Sequence, residues 1–205
     1  MSKESIAQHS DLESLRGALK AFAGIDDEAF EMSRSFWIER RYKKGEFYNE
    51  YKNVCKHLGF VMSGIFRTYH VGSDSGEQKN MFFCSEQQMV VSYKSFLEQS
   101  PCNYYTEAMM DSCILYIHIN HLQELYQQSH HWERFGRLVA EGAFSAAMAK
   151  TESFLFRTPE DCYLELIAQH RDITERIPLY HIASYLGIQG PSLSRIRKKL
   201  AAKRS

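Results

Sequence analysis

The C-terminal part of the chain constrains its fold more than any other stretch. Residues 177–200 contain two short helical patterns that are separated by Gly187. In the first pattern, Ile182, Ala183 and Leu186 lie on one side of a helix. Gly187 can adopt a positive φ without a Cβ clash, so the chain can turn sharply there. This pattern predicts a helix-turn-helix.

The second helical pattern has an apolar back and a cationic front. Pro191 falls in its first turn, where the missing N–H costs nothing. Leu193, Ile196 and Leu200 recur at i, i+3 and i+7, and we expect them to pack on the first helix. Arg195 then points away from that stripe, towards solvent or the major groove of a DNA duplex. The alternative is an amphipathic helix pair whose basic face is merely solvated.

The charge of the chain is balanced overall but uneven along its length. Lysine and arginine number 25, as do aspartate and glutamate, which gives a formal net charge of zero. Residues 195–205 nevertheless contain six basic residues and no acidic one. A local basic tract joined to a helix-turn-helix pattern favours a nucleic-acid partner, whereas a basic tract alone could be a solubilising tail.

Neither a membrane nor a metal is indicated. No stretch approaches the ~18 apolar residues of a spanning helix, and the first residues start no signal-like hydrophobic segment, so we expect a soluble, cytoplasmic protein. The five cysteines are never closer than eleven residues apart. That spacing predicts free thiols, with no metal site and no cofactor. The cysteines are Cys55, Cys84, Cys102, Cys113 and Cys162.

The order of the remaining patterns predicts an α+β protein. Residues up to about 35 are expected to be helical, with an apolar face formed by Leu12, Leu15, Leu19, Phe22 and Phe30. Short β segments follow at 36–42, 47–51, 58–62, 65–69, 80–83, 89–91 and 113–119, which is typical of an antiparallel β-roll or jelly roll. Residues 120–156 read as a long helical region. Thr158 and Asp161 form a capping box that opens another helix towards Gln169.

In this order of elements the chain resembles the Crp/Fnr family of bacterial transcription regulators, across residues 36–203. Residues 43–46 resemble the first turn of the family's cyclic-nucleotide-binding-type roll, and Gly64 to Arg67 resemble its Gly-x-x-Arg hairpin. Residues 158–186 resemble its DNA-binding domain most closely. The resemblance implies a sensor roll over residues 1–130, a dimerisation helix over 131–157 and a helix-turn-helix domain over 158–205, and it implies no enzymatic activity.

The resemblance also implies a homodimer that binds a near-palindromic promoter site in double-stranded DNA, where RNA polymerase is a further possible partner. The sequence offers its own argument for the dimer, because small and apolar residues recur at spacings of three and four. The resulting stripe consists of Trp132, Phe135, Leu138, Gly142, Phe144 or Ser145, and Ala149. It is widened by the smaller residues Val139, Ala143, Ala146 and Ala147. The alternative is that this stripe packs only on its own roll.

The segment that would hold a cyclic nucleotide departs from the family pattern. Members that bind one use a Gly-Glu pair for the ribose and an Arg-Ser pair for the phosphate. Here Ser92 and Tyr93 stand at the first pair, and Asn103 and Tyr104 at the second. Because the carboxylate and the guanidinium are missing, we do not expect cAMP to bind in the usual manner.

Another small molecule could still occupy this segment. The candidate effector pocket comprises Tyr93, Lys94, Phe96, Asn103 and Tyr104, with Lys94 as its one cation. The alternative is that its aromatic residues are simply core of the roll. The identity of an effector is not readable from the sequence.

The start of the second helix, whose residues would contact DNA bases, also departs from the family pattern. Gly190 and Pro191 stand where many members have a charged residue, which leaves Gln189, Ser192 and Arg195 as candidate base readers. Phosphate contacts are assigned to Arg197, Lys198 and Lys199. Because few residues follow, we do not expect a full β-hairpin wing.

Two other functions stay open beside DNA binding. One is a ligand- or partner-binding module whose helix-turn-helix has lost sequence-specific DNA binding. The other is a cupin-like enzyme with a metal site in the roll. His118 and His121 come nearest to such a site, but His121 is expected to lie beyond the strand.

Overall fold

An N-terminal helix pair, a β-roll and a run of helices follow one another in residues 4–202, which are the residues that the computed structural model describes. The strands are β1 Glu4–Ile6, β2 Ile38–Tyr42, β3 Phe47–Asn49, β4 His57–Ser63, β5 Phe66–Val71, β6 Gln78–Cys84, β7 Met89–Val90, β8 Tyr105–Ala108 and β9 Ser112–His118. The helices are α1 His9–Ala23, α2 Asp27–Ser33, α3 Tyr93–Glu98, α4 Ile119–Gln128, α5 His130–Phe156, α6 Pro159–Gln169, α7 Arg171–Arg176, α8 Leu179–Tyr185 and α9 Gly190–Ala202. Lys203 and Arg204 of the basic tract lie outside the described residues.

The roll consists of two antiparallel sheets. Their strand orders are β1-β2-β9-β4-β7 and β3-β8-β5-β6, so the predicted α+β class with a β-roll is confirmed. All seven predicted strands are present, each with ends within two residues of the expected ones. A tight hairpin at residues 72–77 joins β5 to β6, with Val71 opposite Gln78.

Strand β8 was not predicted. It is only four residues long, and its buried positions are Thr106 and Ala108, so it carries no alternation of large apolar residues. The strand is stabilised by its pairing with β5, where Tyr105 stacks on Tyr69 with ring centroids 5.3 Å apart. Cross-strand contacts of this kind, rather than local propensity, decide whether such a segment becomes a strand.

The prediction of a single helical region up to residue 35 was wrong in two respects. Residues Glu4–Ile6 form strand β1, because they pair with β2, and the helical part is broken. Gly24 ends α1 with a left-handed φ of 70°, and the Asp26 side chain caps α2 by accepting from the Ala29 N–H at 2.8 Å. Phe22 was expected on the buried face, but it is 47% exposed and touches Phe135 only edge-on. The buried face of α1 consists of Leu12, Leu15, Leu19 and Ala23, and Phe22 lies at the edge of that face.

The predicted helical region 120–156 consists of two helices, because the backbone is extended at Ser129. The break allows the first turns of α5 to face the N-terminal helices. Trp132 and Phe135 are fully buried there, and the indole N–H of Trp132 donates to the Ala29 carbonyl at 2.8 Å. This part of the predicted dimer stripe therefore packs inside its own protomer, as the alternative interpretation had it.

The C-terminal helices follow the sequence closely. The capping box at Thr158 and Asp161 is present with both of its hydrogen bonds. Gly187 has a φ of 69° between α8 and α9, as the turn requires. Leu193 is buried, and Ile196 packs against the same core. The predicted helix-turn-helix is thus confirmed as a structural element.

None of the helices in the described range 4–202 is long and apolar enough to cross a membrane. All five cysteines are free thiols.

The packing of α1 leads to a stability prediction. Leu19 of α1 is fully buried in the core. Leu19→Ala is therefore expected to lower the free energy of unfolding by about 2–5 kcal/mol. Leu97, which is 58% exposed, is the matched control. Leu97→Ala should change the free energy of unfolding by less than about 0.5 kcal/mol. Urea unfolding followed by tryptophan fluorescence measures both. Equal losses in the two variants would contradict this account of the core.

Candidate nucleic-acid interface

Helix α9 carries three exposed cationic residues, of which Arg195 and Lys198 lie opposite its apolar back. Arg195, Arg197 and Lys198 are exposed, whereas Leu193 is buried. Within residues 4–202, no carboxylate forms an ion pair with any of these three cations. Their charge is therefore available to a ligand with negative charge, such as the phosphates of a duplex.

Lys199 differs from its neighbours, since its Nζ donates to Glu160 on α6 at 2.6 Å. This ion pair ties α9 to α6 across the helix-turn-helix domain. A phosphate contact by Lys199 would therefore compete with the Glu160 carboxylate for the same positive charge.

The first turn of α9 faces the roll. Gln189 and Ser192 line a cleft of about 450 Å³ together with Glu77 and Lys79 of the β5–β6 hairpin and strand β6. Gln189 is exposed and Ser192 is half-buried. Two of the three candidate base readers thus lie next to the roll, and Arg195 lies one turn further along the helix.

The candidate effector residues are divided between core and surface. On α3, Phe96 is buried in the main core and Tyr93 packs against that core, while Lys94 is exposed. Asn103 is exposed and Tyr104 is half-buried. For Tyr93 and Phe96 this placement agrees with the alternative that they are core residues, and the effector pocket remains a prediction.

The two histidines that came closest to a metal site have other partners. The Nδ1 of His118 accepts from the Asn120 N–H at 3.1 Å and caps α4, and His121 stacks on Phe36 with ring centroids 4.2 Å apart. Within the described range, no three His, Cys, Asp or Glu side chains are placed to hold a metal ion.

A contact that the sequence did not predict joins the roll to the helix-turn-helix. Its centre is Arg67 on β5, which is only 4% exposed. The Nε and Nη2 of Arg67 donate to the same Glu107 oxygen at 3.1 and 2.9 Å, and Nη2 also donates to Gln78 at 2.8 Å. Its Nη1 donates to Asn80 at 3.3 Å and to the Nδ1 of His181 on α8 at 3.0 Å. All five guanidinium N–H groups therefore have a partner.

Helix α8 is also held to strand β6 through backbone groups. The Ser184 hydroxyl donates to the Gln78 carbonyl at 2.7 Å and accepts from the Asn80 N–H at 3.0 Å. The Asn80 side chain donates to the His181 carbonyl at 3.0 Å. The first helix of the helix-turn-helix thus uses the hydrogen-bonding capacity of an edge strand.

A second polar contact and an apolar core support the first contact. Arg176 donates to both carboxylate oxygens of Glu86 at 2.8 Å, and these bonds lower the pKa of Glu86 to about 2. Ile65 and Met109 of the roll share a core with Ile182 of α8. The helix-turn-helix is therefore packed on the roll as a single body with it.

The sequence carried no usable signal for this contact. Arg67 was assigned only to the Gly-x-x-Arg hairpin, and its partners Gln78, Glu107 and His181 lie 11, 40 and 114 residues away along the chain. A local pattern cannot report such pairs.

The contact between Arg67 and His181 leads to a pH prediction. Desolvation, together with the nearby Arg67 charge, lowers the pKa of His181 from 6.5 to about 4. Since the unfolded chain then takes up the proton first as the pH falls, this group contributes stability above pH 6.5 that is lost towards pH 4. Between pH 7 and pH 5, the free energy of unfolding of the wild type should therefore fall by about 1–2 kcal/mol more than that of His181→Gln.

Urea unfolding at the two pH values measures this difference. His57, whose pKa burial also lowers to about 4, is present in both proteins and cancels. Parallel stability curves for the two proteins would contradict the assigned role of His181.

No protein-family model matches the sequence, and no curated protein matches it. Solved structures do match. A protein described as a Crp/Fnr family transcriptional regulator from Eubacterium rectale has a TM-score of 0.68 and 17% identity, over 91% of this chain and 88% of its own. FixK2 from Bradyrhizobium japonicum has a TM-score of 0.67 and 18% identity, over 80% and 84% of the two chains. The c-di-GMP responsive global regulator CLP from Xanthomonas campestris has a TM-score of 0.64 and 16% identity, over 87% and 93%. The chain therefore has the fold of the Crp/Fnr regulators, with a cyclic-nucleotide-binding-like roll, a long helix and a C-terminal helix-turn-helix.

Proposed function

We propose that the protein is a cytoplasmic, DNA-binding transcription regulator of the Crp/Fnr type, and that it binds a near-palindromic promoter site as a homodimer. The observation that supports this most directly is helix α9, whose apolar back is held by α8 and whose Arg195, Arg197 and Lys198 are exposed without carboxylate partners within residues 4–202. A helix of this kind can enter the major groove of B-DNA. RNA polymerase is a further partner if the bound protein acts on transcription directly.

The roles within α9 follow from side-chain chemistry. Gln189, Ser192 and Arg195 are proposed to contact base edges, with Arg195 as the strongest reader because a guanidinium can bind guanine through two hydrogen bonds. The proposed phosphate contacts are Arg197, Lys198 and Lys199. Lys198 carries the sharper test of a phosphate contact, because Lys199 is already paired with Glu160.

The proposed dimer rests on the exposed half of α5. Phe144, Met148 and Leu155 are 69%, 44% and 66% exposed, and their spacing places them on one face of the helix. A contiguous apolar face of this kind is unusual on a monomeric protein. The small residue Ala147 borders this face and allows two helices to approach closely. Two copies paired along α5 would also supply the two recognition helices that a palindromic site needs.

Binding of cAMP in the usual manner is not part of the proposal. The positions that would hold ribose and phosphate carry Ser92, Tyr93, Asn103 and Tyr104. Ser92 is fully buried, and its hydroxyl lies 3.3 Å from the Thr106 hydroxyl and 3.4 Å from the Asn49 amide. Its polar contacts are thus made within the roll. An effector of another kind at Tyr93, Lys94, Phe96, Asn103 and Tyr104 stays a proposal that ligand-bound crystallography can test.

The test of DNA binding starts with selection of genomic fragments by the purified protein, followed by fluorescence anisotropy at several salt concentrations. Arg195→Ala is expected to weaken binding to the selected site by about 1–3 kcal/mol and to leave binding to random duplex unchanged. Lys198→Ala should weaken binding to both duplexes and reduce the salt slope by about one.

Lys20→Ala is the charge-matched control, because Lys20 is an exposed lysine in the last turn of α1, outside the helix-turn-helix. It should bind both duplexes like the wild type. If no fragment is enriched, and if wild type and Arg195→Ala bind every duplex equally, the alternative of a module that has lost sequence-specific binding is correct.

The dimer has its own test. Phe144→Glu places a charge on the exposed apolar face of α5, so it is expected to shift the protein from dimer to monomer at micromolar concentration, because an unpaired buried charge is costly. Analytical ultracentrifugation measures the shift. Leu97→Glu changes an equally exposed apolar residue on α3 and should leave the dimer intact. A wild type that is monomeric throughout would refute the proposed interface.

A further inference from the structure

A cavity of about 530 Å³ lies where α5, α6, α7, α8 and strand β6 meet. Its volume falls in the range of pockets that hold small organic molecules. Most of its wall is apolar and comes from both halves of the protein, including Phe82 and Phe83 of the roll, Ala149 of α5, Leu166 of α6 and Leu186 beyond α8. The cavity is separate from the α3 segment at which an effector was predicted, because no residue of α3 lines it.

One lysine supplies a charge to this apolar wall. Lys150 of α5 is half-buried, and its Nζ donates to the Tyr185 carbonyl at 2.7 Å. The same Nζ lies 3.4 Å from the centroid of the Tyr185 ring and 5.0 Å from that of Phe154. An ammonium group has three N–H donors, and the Tyr185 carbonyl uses one. Two donors are therefore left for a further acceptor.

The charges around the cavity are not balanced. Arg157 and Glu165, which also line it, form an ion pair with each other. Within residues 4–202, no carboxylate pairs with Lys150. Burial lowers the pKa of Lys150 to about 8, as expected for a cation that has lost part of its hydration without gaining an anion. A bound anion would restore that missing interaction.

We propose that this cavity binds a small organic carboxylate with an apolar body, whose carboxylate pairs with Lys150 while its apolar part lies against the Phe82, Phe83 and Leu166 side. The charge of Lys150 selects an anion, and the apolar walls select against small inorganic anions. Because Lys150 also holds the end of α8, such a ligand contacts the long helix, the roll and the helix-turn-helix together.

Decanoate is the probe, and 1-decanol is its neutral counterpart. Isothermal titration of the full chain should show saturable binding of decanoate. Lys150→Met keeps the length and the apolar stem of the side chain but removes the charge. It is expected to weaken decanoate binding about tenfold or more, and to change the affinity for 1-decanol by less than about twofold.

Two further variants keep the test decisive if Lys150→Met perturbs the packing of α8. Ala149→Trp fills the cavity from its other wall without touching the charge, and it should abolish binding of both probes. Lys20→Met removes an exposed lysine of α1 and should bind both probes like the wild type.

Three results would overturn the proposal. The first is the absence of saturable decanoate binding to the wild type. The second is an equal loss of affinity for both probes in Lys150→Met, which would show that Lys150 does not bind the carboxylate. The third is binding that appears only in the monomeric Phe144→Glu variant, which would show that a second copy covers the cavity. The titration contains no DNA, so its outcome is independent of the proposed function.

Discussion

The buried guanidinium of Arg67 is the constraint on which the arrangement of the two halves depends. Removing a charged group from water costs several kcal/mol unless every donor finds a partner. The roll alone supplies Glu107, Gln78 and Asn80, and the last acceptor is His181 of α8. Full satisfaction of Arg67 therefore requires that the helix-turn-helix be packed against the roll.

The contact between α8 and the roll also determines the position of helix α9. Helix α8 is held to β6 through Ser184, so α9, which packs on α8, is also fixed relative to the roll, with Arg195, Arg197 and Lys198 exposed. At the same time the first turn of α9, with Gln189 and Ser192, borders the β5–β6 hairpin. One end of the candidate nucleic-acid interface thus borders the roll.

Helix α5 serves different purposes along its length. Its first turns bury Trp132 and Phe135 against the N-terminal helices, where the break at Ser129 directs them. Further along, Lys150 on one side contacts the end of α8, and Phe144 on another side is exposed to solvent. A single periodic stripe in the sequence therefore corresponds to several surfaces. Periodicity identifies which residues share a face, but it does not identify what covers that face.

The sequence by itself determined the elements whose signals are local. The left-handed turn at Gly187, the capping box at Thr158 and the alternating strands of the roll all depend on neighbouring residues, so they were predicted correctly. Strand β8 and the contact made by Arg67 depend on partners far along the chain, and only the tertiary structure revealed them. The physical reason is that burial, hydrogen-bond partners and the pKa of a side chain are properties of its surroundings in space, which a one-dimensional pattern does not contain.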